Sequence, residues 1–433
     1  MPELYYLFFL IIFYYISKRK IPNILNPVVL FIFLWTIIVF LASLQLFGLN
    51  KASQNALYLI FVGCTVFFIT SLAYIYYRTI STKKDLEFRT FDRNITLRYR
   101  FIYLMAIFCI GYYLKDFINS FIFLINGGNF NNLRLLAQNQ TETTSLNNFV
   151  KNFIVLPFSS VLEVVAAVDF WFGRRDRKLL LMTFIVIFMR VISDAGRTPL
   201  VNFAIYLFIG YFLIKNAGKK ISIFKSVKAK RIFKRFLLIF VVLLAFVTFS
   251  RTTSTVMRQI YFYFSMSPVL LSNWLSQIDT PNNLTYGVTS LNGFLFTFEY
   301  ILRNIFGFDN IFPIIQEAYS FIAKTDSMWL VIAQGGIKAN AYVSAFLFMY
   351  LDGKIFGVII GMVLYATLVM KYYVDTIKKP NMQIISIYLL LYQGLFFSFI
   401  RFPFVKPYYA IAFALLLFLF RKDGVQEKLK FIR

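Results

Sequence analysis

The chain has 433 residues, of which 59% are hydrophobic and 20% aromatic, with a mean hydropathy of +0.69. A soluble domain lies nearer about 45–50% apolar, so this composition excludes an ordinary soluble protein and predicts a polytopic membrane protein. The formal net charge of +26 is the Lys and Arg excess that cytoplasmic loops carry, rather than a nucleic-acid surface, and it also meets anionic lipid head groups.

The first apolar run, residues 1–17, is followed by Lys18-Arg19-Lys20. A cleaved signal peptide carries its charge first, so this order predicts a first span with its N-terminus outside. Further spans are expected near 26–47 and 55–77, each long enough for a core about 30 Å thick. The connector 78–100 holds seven basic residues and reads as cytoplasmic. A fourth span near 101–125 carries Lys115 and Asp116 and ends at Asn126-Gly127-Gly128. A small outer loop, 126–150, follows. The fifth span, 152–172, includes Glu163 and Asp169, and the basic cluster 174–178 closes it on the inside.

The sixth span, 179–193, contains Arg190, and a seventh, 200–214, follows the turn at Asp194 to Pro199. Residues 190, 194 and 197 share one helical face, which predicts an Arg190–Asp194 pair and a free Arg197. A strongly basic connector leads to an eighth span at 236–250; the ninth, tenth and eleventh are expected near 354–371, 383–400 and 407–420. The result is an all-α chain of about 11 spans, N-out and C-in, forming one membrane-embedded domain over 1–433. No internal repeat is visible, so an inverted-repeat transporter plan lacks support.

Residues 251–353 differ from everything around them. They mix aromatic half-helices, Gly, Pro and Asn breaks and charges of both signs, a backbone that lipid does not tolerate. They are expected to form a large outer segment with short amphipathic helices. One, Gly293 to Phe306, predicts a Glu299–Arg303 pair at i, i+4.

With no histidine, Ser-His-Asp and Cys-His catalysis are excluded and a zinc site is disfavoured. No metal or cofactor is expected, and proton transfer falls to Asp, Glu, Tyr or Lys. Cys64 and Cys109 lie in apolar runs and read as core residues. The acidic candidates for catalysis are Asp326, Asp352 and Glu299, with Asp279, Asp309 and Glu317 hardly separable from them. The outward cations suit an anionic substrate, because guanidinium forks grip phosphate through paired hydrogen bonds. They are Arg134, Arg197, Arg251, Arg258, Arg303, Lys338, Arg401 and Lys406. Tyr263 and Tyr342 are candidates to stack on sugar rings, although an interfacial aromatic belt accounts for most such residues.

Four stretches carry a family likeness. They are Asn132-Leu133-Arg134, Gly196-Arg197-Thr198-Pro199, the run Tyr263 to Pro268, and Asn340-Ala341-Tyr342 followed by Tyr350-Leu351-Asp352-Gly353 and Gly357. Together they resemble motifs of the O-antigen and capsular polysaccharide polymerases called Wzy. Val343 and Ser344 stand where that family has threonine after the tyrosine, and Lys354 interrupts its aspartate-glycine stretch. The resemblance implies a GT-C-like, metal-independent glycosyltransferase of the bacterial inner membrane. Its substrates would be undecaprenyl-diphosphate-linked oligosaccharides, its partners a chain-length regulator and a flippase. It also implies that Arg134, Arg197 and basic residues of the large loop handle the diphosphates. The rivals are an O-antigen ligase, which in that family relies on a loop histidine, a lipid-linked oligosaccharide flippase, and a non-catalytic assembly partner.

Overall fold

In a computed structural model the described residues are 2–20, 26–80, 90–128, 132–133, 145–194, 196–217, 256–278, 284–308 and 312–422. In chain order the first helices are α1 (Pro2–Lys20), α2 (Pro27–Ser43) and α3 (Gln54–Ile80). Strand β1 (Ile95–Leu97) precedes α4 (Tyr99–Ile125), and α5 (Ser145–Val150) runs through one π turn into α6 (Leu156–Phe172). Then come α7 (Arg177–Ser193), α8 (Thr198–Ala217), α9 (Val256–Ser265), α10 (Ser267–Ile278), α11 (Asn292–Phe306) and α12 (Pro313–Ser327). The last elements are β2 (Leu330–Ala333), β3 (Ile337–Ala339), α13 (Ala345–Lys378), α14 (Met382–Phe396), α15 (Pro407–Phe418) and β4 (Phe420–Lys422).

The protein is thus mostly helical. Among the described residues, 5 helices are long and apolar enough to cross a membrane: Gln54–Arg78, Tyr99–Ile125, Asn147–Phe172, Thr198–Lys215 and Ala345–Lys378. Shorter apolar helices stand at Pro27–Ser43, Met382–Phe396 and Pro407–Phe418. The expected eighth span, 236–250, lies outside the described residues. Besides the helices there are two short antiparallel ribbons, β2 with β3 and β1 with β4.

The chain divides into two compact units. The first comprises Met1–Leu86, Ser254–Val374 and Gly394–Ala410. Here α1 packs on α2 and α3, α9 packs on α2, and α10 packs on both α2 and α3. Helix α2 begins where Asn26 accepts the amide of Val28 at 2.9 Å and Pro27 supplies a preset φ. Aromatic rings fill the interior: Phe31 lies 4.4 Å from Phe67, and Trp35 4.9 Å from Phe346, measured between ring centres. Helices α11 and α12 pack against each other, and Gly307 at φ 71° ends α11 in the left-handed conformation that suits a helix terminus.

Helix α13 departs from the expected span at 354–371, because it begins at Ala345. Its first two turns are buried, and at Gly353-Lys354 the backbone leaves the helical region, with Lys354 at φ 54°. A side chain at Gly357 would lie 2.2 Å from the carbonyl oxygen of Met349. In a straight helix residues eight apart are about 12 Å apart, so the chain reverses here and folds the short half-helix onto the long one. Only glycine permits that approach. The part after the reversal still runs about 36 Å, enough to span a bilayer core.

The second unit comprises Glu87–Thr253, Asp375–Gln393 and Ile411–Arg433. Helix α4 packs on α7, and α6 packs on α7 and α8. The apolar window of Asn147–Phe172 is 78% buried, so α6 is the centre of this unit. Asp169, at its end, accepts the Tyr99 hydroxyl at 2.5 Å and the amides of Arg174 and Asp176 at 3.0 and 2.7 Å. Asp176 in turn caps α7 through Lys178 and Leu179. The basic cluster 174–178 therefore forms a pinned turn.

Inside this unit Glu163, 1% exposed, meets Arg190 Nη1 at 3.4 Å, and the same nitrogen donates to Ser159 Oγ at 2.8 Å. Arg190 also lies 3.7 Å from Asp194, as the i, i+4 spacing predicts, while Asp194 holds Lys151 at 3.2 Å. A charge within an apolar helix requires such partners. Arg197 is itself engaged, which corrects the expectation of a free guanidinium. Cys64 and Cys109 are buried free thiols, as read.

Candidate functional site

The first unit gathers several of the predicted site residues in one place. Asp326 stands on the last turn of α12, and Arg401 and Lys406 lie between α14 and α15. Arg401 forms a two-pronged pair with the Asp326 carboxylate, its Nη1 donating to Oδ2 at 3.0 Å and its Nη2 to Oδ1. Lys406 Nζ reaches Oδ2 at 2.5 Å. This fork-on-carboxylate geometry is also the one by which arginine holds phosphate.

Local structure explains why these groups meet. The Asn340 side chain donates to the Asp326 carbonyl, and the Ala341 amide donates to the Thr325 carbonyl at 2.9 Å. The amides of Val343 and Ser344 both donate to the Ile400 carbonyl, at 3.0 and 3.2 Å. The end of α12, the run Asn340–Ser344 and the run Ile400–Lys406 are thereby laced together. Ala341 and Ser344 sit at φ 66° and 70°, in the left-handed region that residues with a Cβ seldom occupy. Each costs on the order of 1 kcal/mol or more, and such strain gathers at functional sites.

The Tyr342 ring lies 5.8 Å from that of Tyr263 and 5.9 Å from that of Phe399, forming an aromatic wall beside Arg401. Two cations meet one anion here, so the cluster carries a surplus positive charge. Burial opposes ionisation of Asp326, but the charges and hydrogen bonds of Arg401 and Lys406 outweigh it and hold the carboxyl at about 2. Burial also opposes the Arg401 charge, and Asp326 reverses that, so its guanidinium pKa is raised. Lys406 goes the other way. Burial first, and the neighbouring Arg401 second, exceed the help from Asp326 and bring its amine down to about 8. One more negative charge at this place would meet a favourable potential.

The other predicted residues lie elsewhere. Glu299 is 2% exposed on α11; Gln316 Nε2 donates to it at 2.6 Å, and Arg303 lies 3.9 Å away, as the spacing predicts. Asp352 ends the short half of α13. Its carboxylate accepts the Thr285 hydroxyl at 2.7 Å and the amides of Thr289 and Ser290 at 2.9 and 3.1 Å. Both of its oxygens are thus committed to the turn that leads into α11. Lys338 is exposed on β3, Arg258 is half-buried on α9, and Arg197 is half-buried ahead of α8. Arg134 and Arg251 lie outside the described residues, as do Asp279 and Asp309.

Lys406 entered the sequence reading only as one outward cation among eight. The signal that singles it out is its place five residues after Arg401, across the break at Pro403, and that spacing names no partner. Compared with family models, with curated proteins and with solved structures, the chain matches none.

Proposed function

We propose that the protein is a metal-independent oligosaccharide polymerase that uses undecaprenyl-diphosphate-linked repeat units on the outer face of the bacterial cytoplasmic membrane, for O-antigen or capsule. In this reading the chain crosses the membrane about 11 times, N-out and C-in, with a GT-C-like plan. Residues 251–353, with the following turn at Arg401–Lys406, face outward. An acceptor hydroxyl oxygen attacks the anomeric carbon of the donor glycan, the bond from that carbon to the phosphate oxygen breaks, and the lipid diphosphate leaves, while the hydroxyl proton passes to an acidic residue or to the departing diphosphate itself.

The observation that carries this reading is the surplus positive charge of Arg401, Lys406 and Asp326 beside the Tyr263 and Tyr342 rings. Fixed cations aimed at a leaving diphosphate stabilise the charge that develops as the bond breaks, and tyrosine faces suit sugar rings. Asp326, held near 2, is poorly matched to accept a hydroxyl proton near neutral pH. Its part is to hold the two cations together while the site is empty of substrate.

The test is reconstitution in liposomes with lipid-linked repeat units, with products resolved on a gel. A ladder of multiples is expected from the wild type, and Arg401→Ala should shorten it to single units. Transport of the units without lengthening would assign the protein to the flippase class instead.

A further inference from the structure

We infer that the seat formed by Arg401 and Lys406 binds a phosphate or diphosphate group, and that Asp326 occupies this seat as an internal substitute that the ligand must displace. The inference deepens the polymerase reading and rests on it for the natural ligand, but not for the displacement itself.

Three features support it. Both oxygens of Asp326 accept from the guanidinium fork and Oδ2 accepts from the ammonium group as well, an arrangement that two oxygens of one phosphate can reproduce. The Asp326 backbone is held independently of its side chain, through Asn340 on its own carbonyl and Ala341 on the carbonyl of Thr325. The carboxylate can therefore swing out while α12 stays in place. Lastly, a single carboxylate leaves the pair of cations under-neutralised, and a more highly charged anion meets both more fully.

An internal competitor lowers apparent affinity by the fraction of time it leaves the seat open. Removing its charge should therefore tighten binding. The experiment uses the full chain in nanodiscs and two probes: inorganic pyrophosphate, and farnesyl diphosphate as a lipid-borne diphosphate. Asp326→Asn should bind pyrophosphate at least about tenfold more tightly than the wild type. Adding Arg401→Gln to that variant should abolish the gain. Farnesyl diphosphate binding more tightly than pyrophosphate marks a lipid head group as the occupant, and equal binding marks a free phosphate.

A second measurement uses the wild type alone, in case Asp326→Asn does not fold. Carbodiimide-driven amidation of Asp326, mapped by mass spectrometry against exposed Glu317, should rise when pyrophosphate is added. Unchanged or weaker binding by a folded Asp326→Asn overturns the proposal, as does unchanged amidation in the wild type. Polymerase activity decides neither result. A protein that binds diphosphate in this way but forms no ladder keeps the displacement and loses the polymerase reading; a ladder without displacement does the reverse.

Discussion

Asp352 Oδ1 accepts the backbone amide of Thr289 at 2.9 Å across 63 residues of chain. With Thr285 and Ser290 it fixes the turn that sets α11 on its course, so the carboxylate is a structural anchor for the segment above the half-helix. Removing a buried carboxylate strands amides that nothing else reaches. Asp352→Ala should cost about 3 kcal/mol or more in unfolding free energy, whereas Asp352→Asn, which retains one acceptor, should cost about half as much. Thermal unfolding in detergent reads the difference. A folded, equally stable Asp352→Ala protein that has lost activity would instead place this residue in the chemistry.

Gly293 lies at the start of α11, where a Cβ would be 2.5 Å from the Phe404 carbonyl oxygen and 2.6 Å from that of Lys406. Those contacts are with backbone, which has little room to yield. This close approach presses α11 against the run that bears Lys406. Gly293→Ala should destabilise the protein by about 1–3 kcal/mol through overpacking. It should also pull Lys406 off Asp326 and raise the rate of amine acylation at Lys406. Destabilisation without faster acylation would show that the contact supports the fold and leaves the cluster unaffected.

What the sequence reveals and conceals follows from chain separation. The amphipathic helix α11 and its Glu299–Arg303 pair are readable because both depend on neighbours four residues apart. The five long apolar helices are readable for a similar reason: a bilayer core about 30 Å thick sets the length of run to look for. The pairing of Asp326 with Arg401, 75 residues away, has no local signature, and neither has the choice of Glu163 as a partner for Arg190, 27 residues away. Charges on different helices show no register in a single sequence. The reversal at Gly353-Lys354 is hidden because residues 345–352 read as the end of the outer segment, ahead of the span expected at 354–371. What decides between them is the carbonyl of Met349 against Gly357, a contact only folding creates.

Glu163 and Arg190 form a pair largely removed from water, and Asp194 is a second partner on the guanidinium. Breaking such a pair from one side leaves an uncompensated charge, which costs about 3–5 kcal/mol, while replacing both members by apolar groups often costs little. Glu163→Leu and Arg190→Leu should each lower stability strongly, and the double variant should recover much of the loss. A double-mutant cycle from thermal unfolding provides the coupling energy. Additive losses would mean that each residue is held by its other contacts, Ser159 and Asp194 among them, and that the pair itself contributes nothing.

The cluster at Asp326 predicts stability that rises with pH at both ends of the scale. Its carboxyl is held at about 2 in the folded chain, against about 3.9 for an unperturbed aspartate, so it binds fewer protons folded than unfolded. Its stabilisation is therefore complete above about pH 4 and is lost as pH falls from there through 2. Asp326→Asn should flatten that part of the acid-unfolding profile. Lys406, brought down to about 8, also binds fewer protons when folded, so stability should rise as pH climbs from about 8 towards 10.5. A diphosphate seated on the cluster would reverse that shift and return the amine to its charged form. Near pH 9, then, pyrophosphate binding should take up protons. Calorimetry in two buffers of different ionisation enthalpy measures this uptake directly. Lys406→Arg should remove it while retaining binding, since arginine is already charged at that pH. Equal heats in the two buffers for the wild type would show that Lys406 does not meet the anion.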